Sequence, residues 1–445
     1  MPAFSLPDLG ALAQAIAASD TVHPPLPNRL ISIWEITQWI LPMAPEHLRR
    51  VLAAEPGLPQ GSAATEGGTR WFSPAEVAAL RGHFARRSRQ SRYQPARPVS
   101  ARAPLIALTA PQGRAGRTLA AAHLATAAAL SGYKVLLIDA DPAGSLAQVM
   151  QIAASPESGT PESSVAELGT LGLIARSAAR HLRQSNETRL DRGDAPLAMD
   201  AVLSAALGLH AADLIRPTIW PGLDLLPASP ALMQADLQIG RWRMAQARWH
   251  PWRAVAEALD SDGLRERYDL ILCDTGRGLG PLALSVLASA DVLLAVLPLA
   301  PGALQALSTG LEALARALGA VQTEAQITAQ ALGHSAQPLQ WRKLAVLPTR
   351  GGDTAAGLLA GYAAKLGPAL LPAALPDIPA IASGQAAQFY DLDYRDVGRL
   401  IYAPQREATE AAWRGVADLL ASLWAEDNTT ARTDESSGQG RLPLG

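Results

Sequence analysis

The hydrophobic pattern is clearest between residues 105 and 142, where two apolar runs flank a loop and a segment of helix length. Residues 105–109 form a short apolar run, and residues 119–130 are rich in Ala and Leu and end just before Gly132. Residues 135–138 form a second apolar run. Short apolar runs bounded by turn residues predict strands, and glycine commonly ends a helix. The stretch therefore predicts a strand, a loop, a helix and a second strand.

The loop between the first predicted strand and the helix is rich in glycine. Gly113, Gly116 and Thr118 stand where a phosphate-binding P-loop needs them, and Arg117 stands where such a loop carries lysine. A P-loop points successive backbone N–H groups at phosphate oxygens, and the next helix adds its positive N-terminus. The pattern predicts a phosphate-binding loop. An ordinary glycine-rich turn between strand and helix is the alternative.

The same region resembles the deviant Walker A and A′ motifs of the ParA/MinD ATPases. The second strand ends in Asp139-Ala140-Asp141-Pro142, and the corresponding strand of that family ends in D-x-D-P. Further along, the apolar run 268–274 ends in Asp274, as the family's Walker B strand does, and a stretch rich in Gly and Leu follows it. The resemblance implies an α/β fold with a doubly wound, mostly parallel sheet of the P-loop NTPase type.

The resemblance also implies a site. ATP and Mg2+ are the expected cofactors, with Mg2+ held by Thr118, Asp139 and Asp274 while Asp141 orients the attacking water. The residues expected to contact the nucleotide are those of the loop, namely Gln112, Gly113, Arg114, Ala115, Gly116, Arg117, Thr118 and Leu119.

Several loop positions depart from the family pattern. The family's first lysine is Gln112 here, its second is Arg117, and Arg114 and Leu119 replace a glycine and a threonine. Neutral glutamine cannot counter the charge that develops during phosphoryl transfer, and a planar guanidinium is bulkier than an ammonium. We expect Arg117 to meet the phosphates in a site that binds ATP with weak or lost hydrolysis. The alternative is a pseudoATPase, a DNA-binding regulator or heterodimer partner that uses the P-loop domain as a scaffold.

Residues 30–86 have the pattern of a helix-turn-helix with a wing. Two helix-sized segments are followed by a Gly-rich turn, a short apolar run at Trp71, and Ser73-Pro74-Ala75-Glu76, which is typical of a helix start. The stretch resembles MerR-like winged modules and the N-terminal region of RepA-type plasmid partition proteins (repABC plasmids). The residues expected to contact DNA are Arg49, Arg50, Arg70, Trp71 and Arg81. A small helical cap or dimerisation module is the alternative.

Composition shifts predict the boundaries of the remaining segments. Residues 1–29 are expected to be a helical or flexible extension, and residues 87–103 a basic Arg/Pro linker. Residues 104–425 are expected to form the P-loop domain. Within it, the Ser/Pro/Glu/Arg-rich stretch 151–212 predicts a surface insertion, and the polar residues 426–445 predict a disordered tail.

Two features lie between the A′ and Walker B motifs. Residues 214–233 are similar to the I-R-P-T, G-L-x-L-V-P-G and L-M stretch of the RepA-type proteins. Trp242, Trp249 and Trp252 alternate with arginines, which suits either nucleic-acid stacking or a buried helical stripe, and their spacing of seven and three favours the stripe.

Composition narrows the class of protein. The chain has 445 residues, 49% of them hydrophobic and 18% charged, with a net charge of −2, so it gains no global attraction to nucleic acid. One cysteine, Cys273, excludes an intrachain disulfide, and the sequence predicts neither a signal peptide nor a membrane span. The resemblance implies a cytoplasmic, nucleoid-associated protein without a membrane. Its expected partners are DNA, a ParB-like centromere-binding protein and a second ParA-type subunit, as a homodimer or a heterodimer with a ParA paralogue.

Overall fold

The structure is a computed structural model that describes residues 11, 29–62, 68–88, 93–95, 97–98, 101–111, 113, 115–152, 168–246, 248–331, 333, 335–351 and 355–438. Two predicted site residues, Gln112 and Arg114, lie outside the described residues. Most of the predicted extension 1–29 and part of the predicted linker 87–103 lie outside them as well.

The described residues 29–62 and 68–88 form a small N-terminal module. Its elements are β1 (Ile31–Ser32), α1 (Ile33–Glu35, continued by a π-helical turn over Ile36–Ile40), α2 (Pro45–Ala54), β2 (Trp71–Phe72) and α3 (Pro74–Arg87). β1 and β2 pair antiparallel. The Ser73 hydroxyl accepts from the Glu76 amide while the Glu76 carboxylate accepts from the Ser73 amide, which confirms the predicted start of α3. The assignment of this module as a winged helix-turn-helix stays a prediction.

An eight-stranded sheet lies at the centre of the fold, in the order β10-β9-β8-β3-β7-β4-β6-β5. Its strands are β3 (Leu105–Thr109), β4 (Val135–Ala140), β5 (Arg216–Pro217), β6 (Leu223–Leu226), β7 (Leu270–Thr275), β8 (Val292–Pro298), β9 (Lys343–Gly351) and β10 (Leu375–Pro376). Every neighbouring pair is parallel except β5 and β6. The expectation of a mostly parallel sheet is therefore confirmed.

Helices pack on both faces of the sheet because the strands are apolar on both sides. Along β3, Ile106 and Leu108 belong to one buried cluster, and Leu105 and Ala107 belong to the other. The helices are α4 (Arg117–Leu130), α5 (Ser145–Val149), α6 (Leu171–Asp191), α7 (Ala201–Leu207), α8 (Ala211–Leu214), α9 (Ala235–Ala245), α10 (Ala254–Ser261), α11 (Leu264–Arg267), α12 (Pro281–Ser289), α13 (Ala303–Ala331), α14 (Ala356–Leu366), α15 (Pro379–Ala382), α16 (Tyr394–Val397) and α17 (Arg399–Gly438).

The prediction that residues 151–212 are a surface insertion is wrong for residues 168–182 and 203–211, which contribute buried side chains to the core. Helix α6 buries Leu171, Ile174, Ala178 and Leu182 in one of the two clusters that cover the sheet. The polar composition of the stretch hid this apolar stripe of the helix. Residues 153–167 lie outside the described part of the chain.

The predicted disordered tail is wrong for residues 426–438, because helix α17 continues to Gly438. Glu426 pairs with Lys343 at 2.9 Å, and Asp427 pairs with Arg342 at 2.9 Å. These ion pairs tie the helix to the start of β9. The final residues, 439–445, lie outside the described residues.

The N-terminal module packs directly against the sheet domain. One continuous buried cluster includes Phe72 and Leu80 of the module, Leu124 of α4 and Trp413 of α17. The module contacts the C-terminal end of α4, where Arg81 donates to the Leu130 carbonyl, and α17, where Trp39 donates to Glu407.

Candidate nucleotide-binding site

Three loops meet at the carboxyl ends of the central strands. The P-loop follows β3, the A′ loop follows β4, and a third loop follows β7, which lies between the other two strands. In the parallel register, Asp139 of β4 lies beside Asp274 of β7. This edge of a doubly wound sheet is where such folds place their ligands.

Glycine shapes the P-loop where helix α4 begins. Gly116 caps the helix in the left-handed region, with φ of +80°, where a residue with a side chain would be strained. The carbonyl of Ala115 accepts a hydrogen bond from the Thr349 hydroxyl at 2.9 Å, which attaches the loop to β9. The loop is thus held from both of its sides.

Arg117 is the first residue of α4, and its guanidinium lies between two carboxylates. Its Nε donates to Asp274 Oδ1, and its Nη2 donates to Asp141 Oδ2 at 2.5 Å. Its Nη1 donates to the Gly276 carbonyl at 3.2 Å. All three nitrogens therefore contact protein acceptors, and the residue is buried. The sequence predicted that this side chain would meet phosphates, whereas the structure directs it toward the acidic loops.

Asp139 holds the A′ loop in shape. Its Oδ1 accepts from the amide of Asp141 and its Oδ2 from the amide of Leu146, both at 3.1 Å. Burial, with the nearby Asp274 adding to it, raises the pKa of the Asp139 carboxyl to about 7. Both oxygens are engaged with backbone amides, so the side chain has a structural role in this arrangement.

Asp274 is fully buried at the end of β7. Burial raises the pKa of its carboxyl, and the Arg117 guanidinium and the Thr118 hydroxyl oppose that shift. Asp274 thus depends on Arg117 for its compensating charge. A buried carboxylate without such a partner would be strongly disfavoured.

Arg277 stands at the mouth of the same site. A Cβ placed on Gly113 would lie 3.5 Å from Arg277 Nη1, so the exposed guanidinium borders the P-loop. Arg277 comes three residues after Asp274, where the resemblance gives the ParA/MinD family a proline, so it is a further departure from the family pattern.

The predicted ligands of Mg2+ are Thr118, Asp139 and Asp274, and their arrangement can be compared with what the ion requires. Mg2+ requires near-octahedral oxygen coordination and space for its water molecules. Both oxygens of Asp139 accept from backbone amides, and the Arg117 guanidinium binds one oxygen of Asp274 and one oxygen of Asp141. Across the described part of the chain, no group of three or more His, Cys, Asp or Glu is placed to hold a metal ion. The residues as arranged do not fit Mg2+.

The structure separates the five residues predicted to contact DNA. Arg49, Arg50 and Arg70 are exposed on the N-terminal module. Trp71 and Arg81 are buried, so the prediction that they contact DNA is wrong for this arrangement. Arg81 donates to the carbonyls of Ile40 and Leu130, and Trp71 stacks on Tyr394. Both side chains dock the module on the sheet domain.

The tryptophan stripe is buried, as the favoured interpretation predicted. Trp242, Trp249 and Trp252 are all buried, and Trp242 Nε1 donates to Asp200 Oδ2 at 2.7 Å. The three residues do not share one helix, because α9 ends at Ala245. They pack α9 and the following turn against α6 and α7.

Comparison with known proteins identifies the family of this fold. The family model described as AAA domain matches residues 103–330, which is just over half of the 445-residue chain. The chain belongs to this family. Its similarity to partition proteins places it in the ParA/MinD superfamily.

Two curated relatives resemble this ParA/MinD-type chain at low identity. "Putative replication protein A" of Sinorhizobium fredii is 27% identical over 286 residues, which cover 62% of this chain and 60% of that protein. "Chromosome partitioning protein ParA" of Caulobacter vibrioides is 25% identical over 223 residues, which cover 50% of this chain and 66% of that protein. The matched regions thus span less than two thirds of each relative.

The fold of the ParA/MinD-type chain is also that of a solved structure described as "Partition Protein". The TM-score is 0.52 at 16% sequence identity, and the match covers 94% of this chain and 99% of that one. This likeness supports the P-loop NTPase fold with its mostly parallel sheet. Among the described residues, no helix is long and apolar enough to cross a membrane.

Proposed function

We propose that this chain is a RepA-like partition protein of a plasmid or chromosome that binds DNA and ATP and hydrolyses ATP weakly or not at all. The observation that carries the proposal is the contact of Arg117 with both Asp141 and Asp274 at the P-loop. Family membership supports the partition role, and the site geometry supports the loss of turnover.

The loss of turnover follows from what Asp141 would have to do. The resemblance gives this carboxylate the role of orienting the attacking water, but its Oδ2 accepts from Arg117 Nη2 at 2.5 Å. A carboxylate held by a guanidinium is less able to accept a proton or orient water. Phosphoryl transfer also depends on cations placed at the terminal phosphates, and Arg117 points away from that position.

Nucleotide binding requires fewer correctly placed groups than ATP hydrolysis does. The N-terminus of α4, the loop around Gly113 and Gly116, and the exposed guanidinium of Arg277 offer positive potential at one edge of the sheet. These groups support binding of a nucleoside triphosphate. The nucleotide then serves as a conformational ligand of the domain.

DNA binding is assigned to the exposed face of the N-terminal module. Arg49, Arg50 and Arg70 lie on this module and are open to solvent. Among the described residues, Arg49 makes one long ion pair, with Glu46 at 3.4 Å between exposed side chains, and such a weak pair leaves it available to a phosphate. The expected partners are DNA, a ParB-like protein and a second ParA-type subunit, in a cytoplasmic and nucleoid-associated setting.

The test combines a binding titration with a turnover assay on the same preparation. ATP should bind in calorimetry, while phosphate release stays near the level of a protein-free blank with or without DNA. Turnover at a rate comparable to that of active ParA relatives would refute the loss of hydrolysis. Absence of ATP binding under every condition would refute nucleotide binding.

The bridge made by Arg117 also favours a second candidate, in which the P-loop domain is a scaffold of a DNA-binding regulator or heterodimer partner. The two candidates differ in whether ATP changes the assembly state. Light scattering with ATP and DNA present should reveal an ATP-dependent dimer under the first proposal. An assembly state that does not change when ATP is added favours the scaffold candidate.

A further inference from the structure

The positive charge between the carboxylates of the candidate site is supplied by a side chain of the protein, Arg117. Arg117 starts helix α4, and its guanidinium lies against Asp141, Asp274 and the Gly276 carbonyl. It is buried, as are Asp274 and Asp139. We propose that Arg117 takes the place of the divalent cation, so that this P-loop binds metal-free nucleotide and has no requirement for Mg2+. This inference rests on the proposed nucleotide binding.

Charge balance is the first step of the argument. Asp139, Asp141 and Asp274 converge at the ends of β4 and β7, and Arg117 is the cation in direct contact with two of them. Buried carboxylates need a compensating partner, which a bound Mg2+ would otherwise supply. Arg117 satisfies that need in the folded chain without any ion.

Geometry is the second step. A guanidinium is a planar fork whose N–H groups reach acceptors in several directions at once. Here the three nitrogens reach three acceptors at the carboxyl ends of β4 and β7, namely Asp141, Asp274 and the Gly276 carbonyl. A Mg2+ ion could bind between Asp141 and Asp274 only after the guanidinium had left, because the guanidinium already contacts both carboxylates.

Phosphate recognition is the third step, because Arg117 no longer serves it. The exposed Arg277 guanidinium borders Gly113 of the loop, on the open side of the site. Together with the amides at the start of α4, it forms the remaining positive surface. The nucleotide phosphates therefore meet Arg277 and backbone amides, while Arg117 compensates the carboxylates.

The first experiment uses the wild-type chain with Mn2+ alone, followed by electron paramagnetic resonance. Wild type should bind no Mn2+ at the site, whereas Arg117→Ala should bind about one Mn2+ per chain, because its carboxylates become available as hard oxygen ligands. Arg316→Ala, which removes an exposed arginine of α13, is the matched control and should behave as wild type. Stoichiometric Mn2+ binding by wild type would overturn the proposal.

The second experiment measures ATP affinity by calorimetry in EDTA and in excess MgCl2. Wild type should show a difference of less than about twofold, because no ligand set for Mg2+ is open. Arg117→Lys keeps the charge but cannot span both carboxylates, and its ATP affinity should become stronger in Mg2+. Arg277→Ala should weaken ATP binding equally in both buffers.

The two experiments distinguish the proposed independence from Mg2+ from the proposed nucleotide binding. If wild type binds ATP only with Mg2+, the inference is wrong while the proposed nucleotide binding stands. If wild type binds neither ATP nor Mn2+ and Arg117→Ala binds Mn2+, nucleotide binding is refuted while Arg117 is still shown to hold the cation position. Should Arg117→Ala fail to fold, the wild-type arms and Arg117→Lys still decide.

Discussion

The ring of Trp71 stacks on the ring of Tyr394, with centroids 5.6 Å apart and planes 26° from parallel. Trp71 belongs to the N-terminal module, and Tyr394 belongs to the segment that leads into helix α17. Arg395 lies over the same indole, with Cζ 3.8 Å from the ring centroid. These aromatic and cation–π contacts join the N-terminal module to the sheet domain.

Arg81 should stabilise the folded protein by holding the N-terminal module on the sheet domain. Its Nη1 donates to the carbonyls of Tyr93 at 2.9 Å and Ser131 at 3.2 Å, and its Nη2 donates to those of Ile40 at 2.7 Å and Leu130. Arg81→Ala leaves these carbonyls short of a donor, and we expect a loss of about 2–4 kcal/mol in the free energy of unfolding. Urea denaturation measures it.

The control for this prediction is Arg86→Ala, which removes an exposed arginine from the same helix. It should change the free energy of unfolding by less than about 0.5 kcal/mol. Equal stability of Arg81→Ala and Arg86→Ala would remove Arg81 from the docking interface.

DNA binding should depend on three exposed arginines of the module. Each cation that neutralises a phosphate releases condensed counterions, so the affinity for duplex DNA should fall steeply with salt. The triple change Arg49→Ala, Arg50→Ala, Arg70→Ala should abolish most retardation of operator and partition-region duplexes. It should also lower the salt slope by about 0.9 per lost contact.

A triple change elsewhere separates specific contacts from total charge. Arg180, Arg183 and Arg316 are exposed on α6 and α13. Their replacement by alanine removes the same charge from the sheet domain and should leave retardation nearly intact. Equal loss in both triple variants would contradict the assignment of DNA binding to the module.

Replacing Gln112 and Arg117 with lysine should restore ATP turnover if the other residues of the site are competent for hydrolysis. Arg117→Lys frees Asp141 and Asp274 from the guanidinium, and Gln112→Lys supplies the second cation of the family pattern. The double variant should hydrolyse ATP at least about tenfold faster than wild type, since a well-placed charge contributes a few kcal/mol to transition-state stabilisation. Phosphate release measures the rate.

Adding Asp141→Ala to the double lysine variant should remove the gain, because the water-orienting carboxylate is lost. A double variant that binds ATP yet stays inactive would assign the loss to other departures, such as Leu119 and Arg277. A wild type that already turns over rapidly would refute the role given to Arg117.

His123 should make the fold sensitive to acid. Its Nε2 accepts from the Phe389 amide at 3.0 Å, so the ring is neutral in the folded chain, and burial lowers its pKa to about 4. An unfolded histidine titrates near 6.5. Its contribution to stability is therefore present above about pH 6.5 and is lost as pH falls toward 4.

The comparison with His123→Gln isolates this effect. Wild type should lose about 2 kcal/mol more than the variant between pH 7 and pH 4.5, at about 1.36 kcal/mol per unit of pKa difference. The exposed His47→Gln should follow wild type. Parallel pH profiles of wild type and His123→Gln in urea denaturation would contradict the prediction.

By itself the sequence determined the features that depend on neighbouring residues. The strand, loop, helix and strand over residues 105–142 and the capped start of α3 at Ser73 follow from local pattern. Such features are readable because turn chemistry, capping and hydrophobic period act over a few residues.

Only the tertiary structure decided where several side chains point. Arg117 turned to the carboxylates rather than to the phosphate side, and Trp71 and Arg81 turned inward to dock the module. Helix α6 entered the core despite its polar composition. In each case the deciding partner is distant in sequence: Asp274 for Arg117, Tyr394 for Trp71 and Asp262 for Arg176 of α6. A long arginine side chain can reach acceptors that are distant in sequence, and it adopts the conformation in which those contacts lower its free energy. These acceptors come within reach only after the sheet has assembled.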